Sequence, residues 1–464
     1  MVDIGVFALY IVLVLAIGRY WSKRVHSAED FHLCGRDLGR LPASLSLAAT
    51  EFSGSGLIGG AGLAYAIGLS GIFWNWGAIP AYILIGLFIA PKIRKLQMAT
   101  IPEYIGTTFG VSTRRLTAVL QVVESVVFVA VQIQVSALLL AALFPLSVPQ
   151  AAIITTAAFS IYTMMGGLWA VVWTDALQYV VLMAGILVAV FLGLQAVGGV
   201  DGLHAQLPPS YFGFGELGLW VPLSWAALAL YSYGIDQAYM QRALAAKDPA
   251  TARFAYIFTG CNYVVFGACV AALGLIAAAL IPGLENENDA LPQLVAQVLP
   301  EGVRALIITA IIAATMSTSS SFLAAGSSLA VQDLYEPILG RGATEAEQVT
   351  HSRVIVAMLA VASLVTTLLI PGVVELVVFA TLIGPAAIFV PFMMAVFWRN
   401  TPRQAGFWAI CMAAIAGAIS HLFLYGKVVG VFGDINPMFL APGVALLVMI
   451  LAAAFGSRET PGER

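Results

Sequence analysis

Apolar runs of about 20 residues, enough to cross a bilayer as a helix, recur along this chain near 2–21, 42–66, 70–91, 116–143, 149–165, 168–197, 218–241, 255–281, 303–331, 353–370, 374–397, 404–425 and 437–456. Hydrocarbon offers the backbone no water, so a chain that repeatedly enters it has to be helical. The runs predict an all-α integral membrane protein with about thirteen transmembrane helices forming a single domain over 1–464. Only 10% of the residues are charged, against roughly 25% in soluble domains. The net charge of −3 and the absence of a long basic run exclude a nucleic-acid partner. Cys34, Cys261, Cys269 and Cys411 lie far apart and no two histidines stand at i, i+4, so neither a disulfide framework nor a zinc site is expected.

Charge order places the termini. Only Asp3 precedes the first apolar run, whereas Arg19, Lys23 and Arg24 follow it, the reverse of a secretion signal. With thirteen spans, nineteen of the twenty-one basic residues fall on one side, leaving Arg304 and Lys427 on the other. The positive-inside rule then puts the N-terminus outside and the C-terminus in the cytoplasm of the cell inner (plasma) membrane. The sizeable outer connections are 201–218 and 282–295, and no soluble domain is expected at either end.

The ionisable residues left at membrane depth are Glu51, Glu124, Asp175, Asp236 and Glu375, with Asp333 near an inner helix end. Such groups are costly enough to mark function; for Glu124 and Glu375 an interfacial or backbone-bonding role is equally open. A set of one sign, with no Lys or Arg among the spans, favours a cationic guest. Glu51 sits in LAATEFSGSGLIGGAGLAY, and Gly234, Asp236 and Gln237 interrupt the seventh run. Glycine weakens helix interiors, and non-helical backbone is tolerated at this depth only where it lines a polar cavity. Both spans are therefore expected to be broken. Spans two and seven stand five helices apart, as an inverted five-plus-five repeat requires, and interrupted spans in matching positions point to a transporter site.

Thr315, Ser317, Thr318, Ser319, Ser320 and Ser321 put six hydroxyls into seven positions of the ninth run. Ala314, Ser317, Thr318 and Ser321 share one helical face, with Ser320 at its border. Single hydroxyls in membrane helices often only bond back to their own backbone; six together point further. Sodium is a hard cation that takes oxygen donors, and this face, with the Ala314 carbonyl and the broken second span, can supply them.

Four motifs, FHLCGRDLGRLPASLSLAATEFSGSG (31–56), YTMMGGLWAVVWTDALQ (162–178), YGIDQAYMQRALAAKD (233–248) and ATMSTSSSFLAAGSSLAVQDLY (314–335), resemble those of the sodium/solute symporters, which include proline, glucose and sialic acid carriers. The resemblance implies a leucine-transporter-like fold: an extra N-terminal helix (2–21), two inverted repeats (42–197 and 218–397) and two C-terminal helices (404–456). It also implies a sodium site from the carbonyls of Ala49, Phe52 and Ala314 with the hydroxyls of Ser317 and Thr318. A second sodium site is implied at Asp175, Ser317, Ser320 and Ser321, so one or two coupling Na+ ions are expected. Where relatives often carry Asp, Asn or Thr, this chain has Glu51, which is free to tune sodium affinity, carry a proton or bind a substrate amine.

The expected activity is sodium-coupled symport of a small organic solute into the cytoplasm by alternating access, by a protein acting as a monomer in the lipid bilayer. Candidate solute contacts are Glu51, Ser53, Gly56, Phe73, Asn75, Gln132, Tyr231, Tyr233 and Asp236. With no Arg or Lys at membrane depth to hold a carboxylate, an amino acid, betaine or other amine-bearing solute leads, since an acid with aromatic neighbours holds ammonium. A sugar, polyol or vitamin comes next, and a proton-coupled carrier is the rival in mechanism. No selectivity-filter repeat suggests a channel, no H-E-x-x-H or nucleophile–base set suggests an enzyme, and a transporter-like sensor would need a separate signalling partner.

Overall fold

The computed structural model describes residues 2–300, 302–338, 343–370, 379–398, 402–424 and 439–455. Among the described residues all regular elements are helices, and nine helices are long and apolar enough to cross a bilayer. The labelled helices are α1 (Val2–Trp21), α2 (Arg40–Glu51), α3 (Gly54–Ile67), α4 (Val111–Leu143), α5 (Val148–Val197), α6 (Trp220–Ile235), α7 (Gln237–Ala245), α8 (Pro249–Leu280), α9 (Val303–Leu329) and α10 (Pro385–Phe397). Large apolar side chains such as Leu9, Val12, Ile154, Ile161, Trp408, Met412 and Ile415 stand exposed at helical spacing. Outward stripes of this kind suit contact with lipid rather than water.

α9 forms the centre: every residue from Ile307 to Leu329 is buried, and it packs against α1, α2, α4, α5 and α7. A helix covered all round can carry polar side chains only if neighbours answer them. Those neighbours include the two broken spans. Between α2 and α3, Phe52 (ψ 62°) and Ser53 (ψ 158°) leave the helical region, and Ser53 Oγ caps the new helix by accepting from Gly56 N at 3.1 Å. A Cβ on Gly54 would collide with the Thr315 methyl, so glycine here lets the break approach α9. The second break is Asp236 (φ −64°, ψ 129°), whose Oδ1 accepts from Ala238 N at 2.8 Å and caps α7.

A third discontinuity divides α5 at Gly167 (φ 52°, ψ −142°), between the predicted runs 149–165 and 168–197. The predicted 70–91 run is a patchwork: a 3-10 turn at Gly68–Ile72, α-helical pieces, a π segment at Ile85–Ile89 and a last helix ending at Lys95. The connections 201–218 and 282–295 are flanked or filled by short helices at Gly199–Gln206 and Ala290–Val298. Glu375, Arg341, Arg399, Lys427, Arg458 and Arg464 lie outside the described residues.

Leu38 and Ala246 form a single parallel bridge, with Leu38 N donating to Ala245 O at 3.1 Å and Lys247 N to Leu38 O at 3.0 Å. This ties the entry of α2 to the exit of α7, so the start of one broken span is joined to the end of the other.

Gly167→Ala is expected to destabilise the fold by about 1–3 kcal/mol, because it forces a side chain into a left-handed conformation and against the Phe31 carbonyl. Fluorescence-monitored melting in detergent reads this; an unchanged melting temperature counts against the turn as a constrained corner.

Candidate ion and solute site

Where α2 ends, its last-turn carbonyls lose their helical partners. α9 meets them: Ser317 Oγ lies 2.7 Å from Ala49 O and Thr318 Oγ1 lies 2.9 Å from Thr50 O. The same hydroxyls stand 2.9 and 3.1 Å from Ala314 O within α9. Ala49, Ala314, Ser317 and Thr318 thus gather at one buried point, joined by the carbonyl of Thr50, which the sequence did not single out. Phe52 closes the α2 terminus, its ring stacked on Phe266 at 4.1 Å. The other hydroxyls behave differently. Thr315, Ser319 and Ser320 bond to the carbonyls of Ile312, Thr315 and Ser317 in their own helix.

Ser321 belongs to a second cluster. Asp175 Oδ2 accepts from Ser46 Oγ at 2.6 Å and from Ser321 Oγ at 3.4 Å, and pairs with Arg242 Nη2 at 3.1 Å. Both charged side chains are wholly buried. This corrects the reading that the interior carries no cation. Arg242 follows directly on the seventh apolar run and was sorted with the inner loop, but α7 is buried along its full length, so its arginine lies inside. The guanidinium is committed: Nε donates to Ser46 Oγ (3.1 Å), Nη1 to Ala238 O (2.6 Å) and Nη2 also to Ser321 Oγ. Ser321 Oγ further lies 2.8 Å from Thr50 Oγ1, so the two clusters touch. Asp175 Oδ1 has no hydrogen-bond partner in the protein. Asp333 is likewise paired, with Arg114 at 2.6 Å.

Glu51 points into a box of tyrosines. The Tyr263 hydroxyl donates to Oε1, and Oε2 has no partner. Tyr82 stacks on Tyr233 at 4.9 Å and lies 5.8 Å from Tyr263, while Tyr239 meets Tyr233 edge-on at 4.9 Å. Of the other solute candidates, Gln132 Nε2 donates to Ser55 Oγ (3.1 Å), which lies 3.2 Å from Ser53 Oγ, so Ser53, Gly56 and Gln132 form one group at the start of α3. Asn75 lies against Gly60 of α3 with its Nδ2 unpartnered. Phe73 and Tyr231 stand apart, packed on Phe214 (6.1 Å) and Phe389 (4.8 Å). Tyr82, Tyr239, Tyr263 and Arg242 were missed. The available hint was the run Asp236, Gln237, Gln241, Arg242, too polar for a lipid-facing helix.

The sequence model of the sodium:solute symporter family matches residues 31–413. The chain belongs to this family. It is 28% identical to sodium/glucose cotransporter 4 of Danio rerio, over 94% of this chain and 74% of the relative, and 26% identical to the sodium/glucose cotransporter of Vibrio parahaemolyticus, over 87% and 82%. Rabbit (Oryctolagus cuniculus) sodium/myo-inositol cotransporter 2 is 26% identical over 91% and 70%. Among solved structures, a Na+-coupled sialic acid symporter in a substrate-bound outward-open state superposes with a TM-score of 0.85 at 20% identity, covering 98% of each chain. Mhp1, a nucleobase-cation-symport-1 family transporter, gives 0.60 at 16% identity, covering 92% of this chain and 95% of Mhp1. This sodium:solute symporter is accordingly a sodium-coupled membrane carrier with a leucine-transporter-like fold, and not an enzyme.

Removing one member of a buried ion pair costs about 3–5 kcal/mol because the other charge is stranded. Arg242→Met is therefore expected to lower the melting temperature sharply, and adding Asp175→Asn to restore much of it. Equal losses in the single and double variants would refute the pairing.

Proposed function

We propose that one sodium ion binds where Ser317 and Thr318 meet the end of α2, held by those hydroxyls and the carbonyls of Ala49, Phe52 and Ala314, and that it drives uptake of a small solute into the cytoplasm. The observation that carries this is the meeting of two hydroxyls with freed carbonyls at a helix break: hard oxygen donors, neutral in sum, in a buried place. The ion ties α2 to α9, and the proposed solute contacts flank the break, Glu51 before it in the tyrosine box and Ser53 with Gln132 after it. Binding of either partner thereby favours the other, a reciprocal coupling. One charge falling through roughly 100 mV releases about 2.3 kcal/mol and a tenfold gradient adds about 1.4 kcal/mol, enough for roughly 500-fold accumulation of a neutral solute.

The breaks at 52–53 and 236 fall in the second and seventh predicted spans, in keeping with thirteen spans, repeats at 42–197 and 218–397, and an external N-terminus. A second ion, at Asp175 Oδ1 with Ser317, Ser320 and Ser321, is the weaker part of the reading, since Arg242 already places a positive charge on Asp175. For the solute, we favour a neutral sugar or cyclitol. The tyrosine hydroxyls and the Ser53–Ser55–Gln132 group offer mixed donors and acceptors, and glucose and myo-inositol are named for three of the relatives above. An amine-bearing solute is the second reading, supported by the free Glu51 Oε2 inside an aromatic box.

In proteoliposomes, uptake should stop when choline replaces sodium, even with a pH gradient maintained; full uptake would defeat sodium coupling. Changing Ser317 and Thr318 together to Ala is expected to raise half-saturating sodium more than tenfold, at about 1 kcal/mol per ligand, and an unchanged value sinks the site. A panel of glucose, myo-inositol, proline and betaine decides the solute class: stabilisation and uptake with proline or betaine alone would select the amine reading. Asp175→Asn should lower the sodium Hill coefficient only if a second ion binds.

A further inference from the structure

We propose that the short helix Ala28–Leu33 is a latch on α7 whose grip depends on a neutral His32, so that a proton arriving on that imidazole releases it. The helix lies in the connection between α1 and α2 and packs against α5, α7, α9 and the helix Glu345–Leu369. The carbonyl of His32 accepts from Gln241 Nε2 at 2.7 Å, next to the Arg242 that pairs with Asp175. The ring Nε2 lies 2.9 Å from Ser352 Oγ, and Glu345 Oε2 accepts from Ala28 N at 3.0 Å. The Phe31 carbonyl fills the space that a side chain on Gly167 would need. At the far end of the helix Cys34, Gly35 and Arg36 stand in succession at φ 53°, 56° and 55°. Residues with side chains rarely adopt that conformation, so docking holds a stretch of chain that would otherwise relax.

Ser352 Oγ donates its own hydrogen to Gln348 O at 2.8 Å, so it accepts from His32, and the neutral ring carries its hydrogen on Nε2. His32 is 1% exposed and its Nδ1 has no hydrogen-bond partner in the protein. A proton added at Nδ1 would be a buried, charged donor without an acceptor. The charged groups on the elements around the ring are committed elsewhere. Arg242 of α7 is paired with Asp175 of α5, and Glu29 with Arg36. Asp30 accepts from the amides of His26 and Ser27, Glu345 from that of Ala28, and Glu347 from that of Thr344. Arg353 donates to the carbonyls of Met164 and Met165, and His351 rests edge-on against Tyr335. α9 brings no charged residue along its buried length 305–329. Burial alone therefore acts on the imidazole and pushes it down to about 3, whereas in water it returns to about 6.5. A group depressed in the docked form favours docking fully above about pH 6.5 and progressively less below it, by about tenfold between pH 7.5 and 5.5. The latch shares no residue with the sodium site and does not rest on sodium coupling.

Cys34 reports the release, because it closes the latch helix and is wholly buried. In a parent protein carrying Cys261→Ser, Cys269→Ala and Cys411→Ala, purified in detergent, Cys34 is labelled with dithiodipyridine, which reacts with thiols in acid as well as at neutral pH. Rates are normalised to those of a free cysteine peptide at each pH. The normalised rate should rise about tenfold from pH 7.5 to 5.5 and stay level across that range in His32→Gln, which cannot take the proton. A His32→Gln protein that is loose at every pH still answers, since the slope is read rather than the rate. Ser352→Ala removes the ring's acceptor without touching a charge and should label faster already at pH 7.5. No rise in the parent, a rise of equal size in His32→Gln, or an unchanged rate in Ser352→Ala overturns the proposal.

Discussion

A helix interrupted in the middle of a bilayer exposes carbonyl groups that neither water nor its own next turn can satisfy. In this protein the interruption at Phe52–Ser53 is made tenable by α9, which brings Ser317 and Thr318 to the freed carbonyls of Ala49 and Thr50. The contact has two sides. Without the hydroxyls the break would be costly; without the break the hydroxyls would turn back to their own helix, as Thr315 and Ser319 do. A cage of acceptor oxygens is thus a by-product of satisfying a broken backbone, and an alkali cation can take over the work of the hydroxyl protons in holding it together.

Much of this was legible along the chain. The 3.6-residue period picked Ser317, Thr318 and Ser321 as one face, and these are the hydroxyls that reach other helices, while Thr315, Ser319 and Ser320 bond within α9. Glycine density and a mid-span acid marked both breaks, because few other features interrupt an apolar run. Arg242 was misplaced for a physical reason: hydropathy measures how willingly a segment enters lipid, and α7 enters protein instead, where a guanidinium can be answered by Asp175, Ser46 and Ser321. The tyrosine box was hidden too. Tyr82, Tyr263 and the pair Tyr233 and Tyr239 come from three segments far apart in the chain, and nothing local signals that the four rings converge.

Asp236 illustrates how one residue serves two demands. Its extended backbone ends α6, and its Oδ1 caps α7, which is the ordinary work of an aspartate at a helix start. Serine or asparagine would cap equally well. What aspartate adds is a second oxygen, buried and without a hydrogen-bond partner in the protein, where charge is expensive. The surplus over capping is the part that asks for a functional explanation.

The buried Arg242 and the proposed sodium site belong to neighbouring parts of one network. Thr50 gives its carbonyl to Thr318 and its hydroxyl to Ser321, and Ser321 in turn contacts Arg242 and Asp175. On the proposed site, a cation arriving among Ala49, Ala314, Ser317 and Thr318 would pull on the last turn of α2, beside Thr50, whose hydroxyl contacts the cluster around the buried ion pair. The pair itself joins α5 to α7, and α7 is bridged to the entry of α2 through Leu38 and Ala246. The path from the proposed ion site to this bridge is therefore short. It runs through a few hydrogen bonds whose partners, Lys247 apart, are buried, so each can be exchanged for another but few can be left unmade. That is the condition for a bundle with two discrete arrangements rather than a continuum between them.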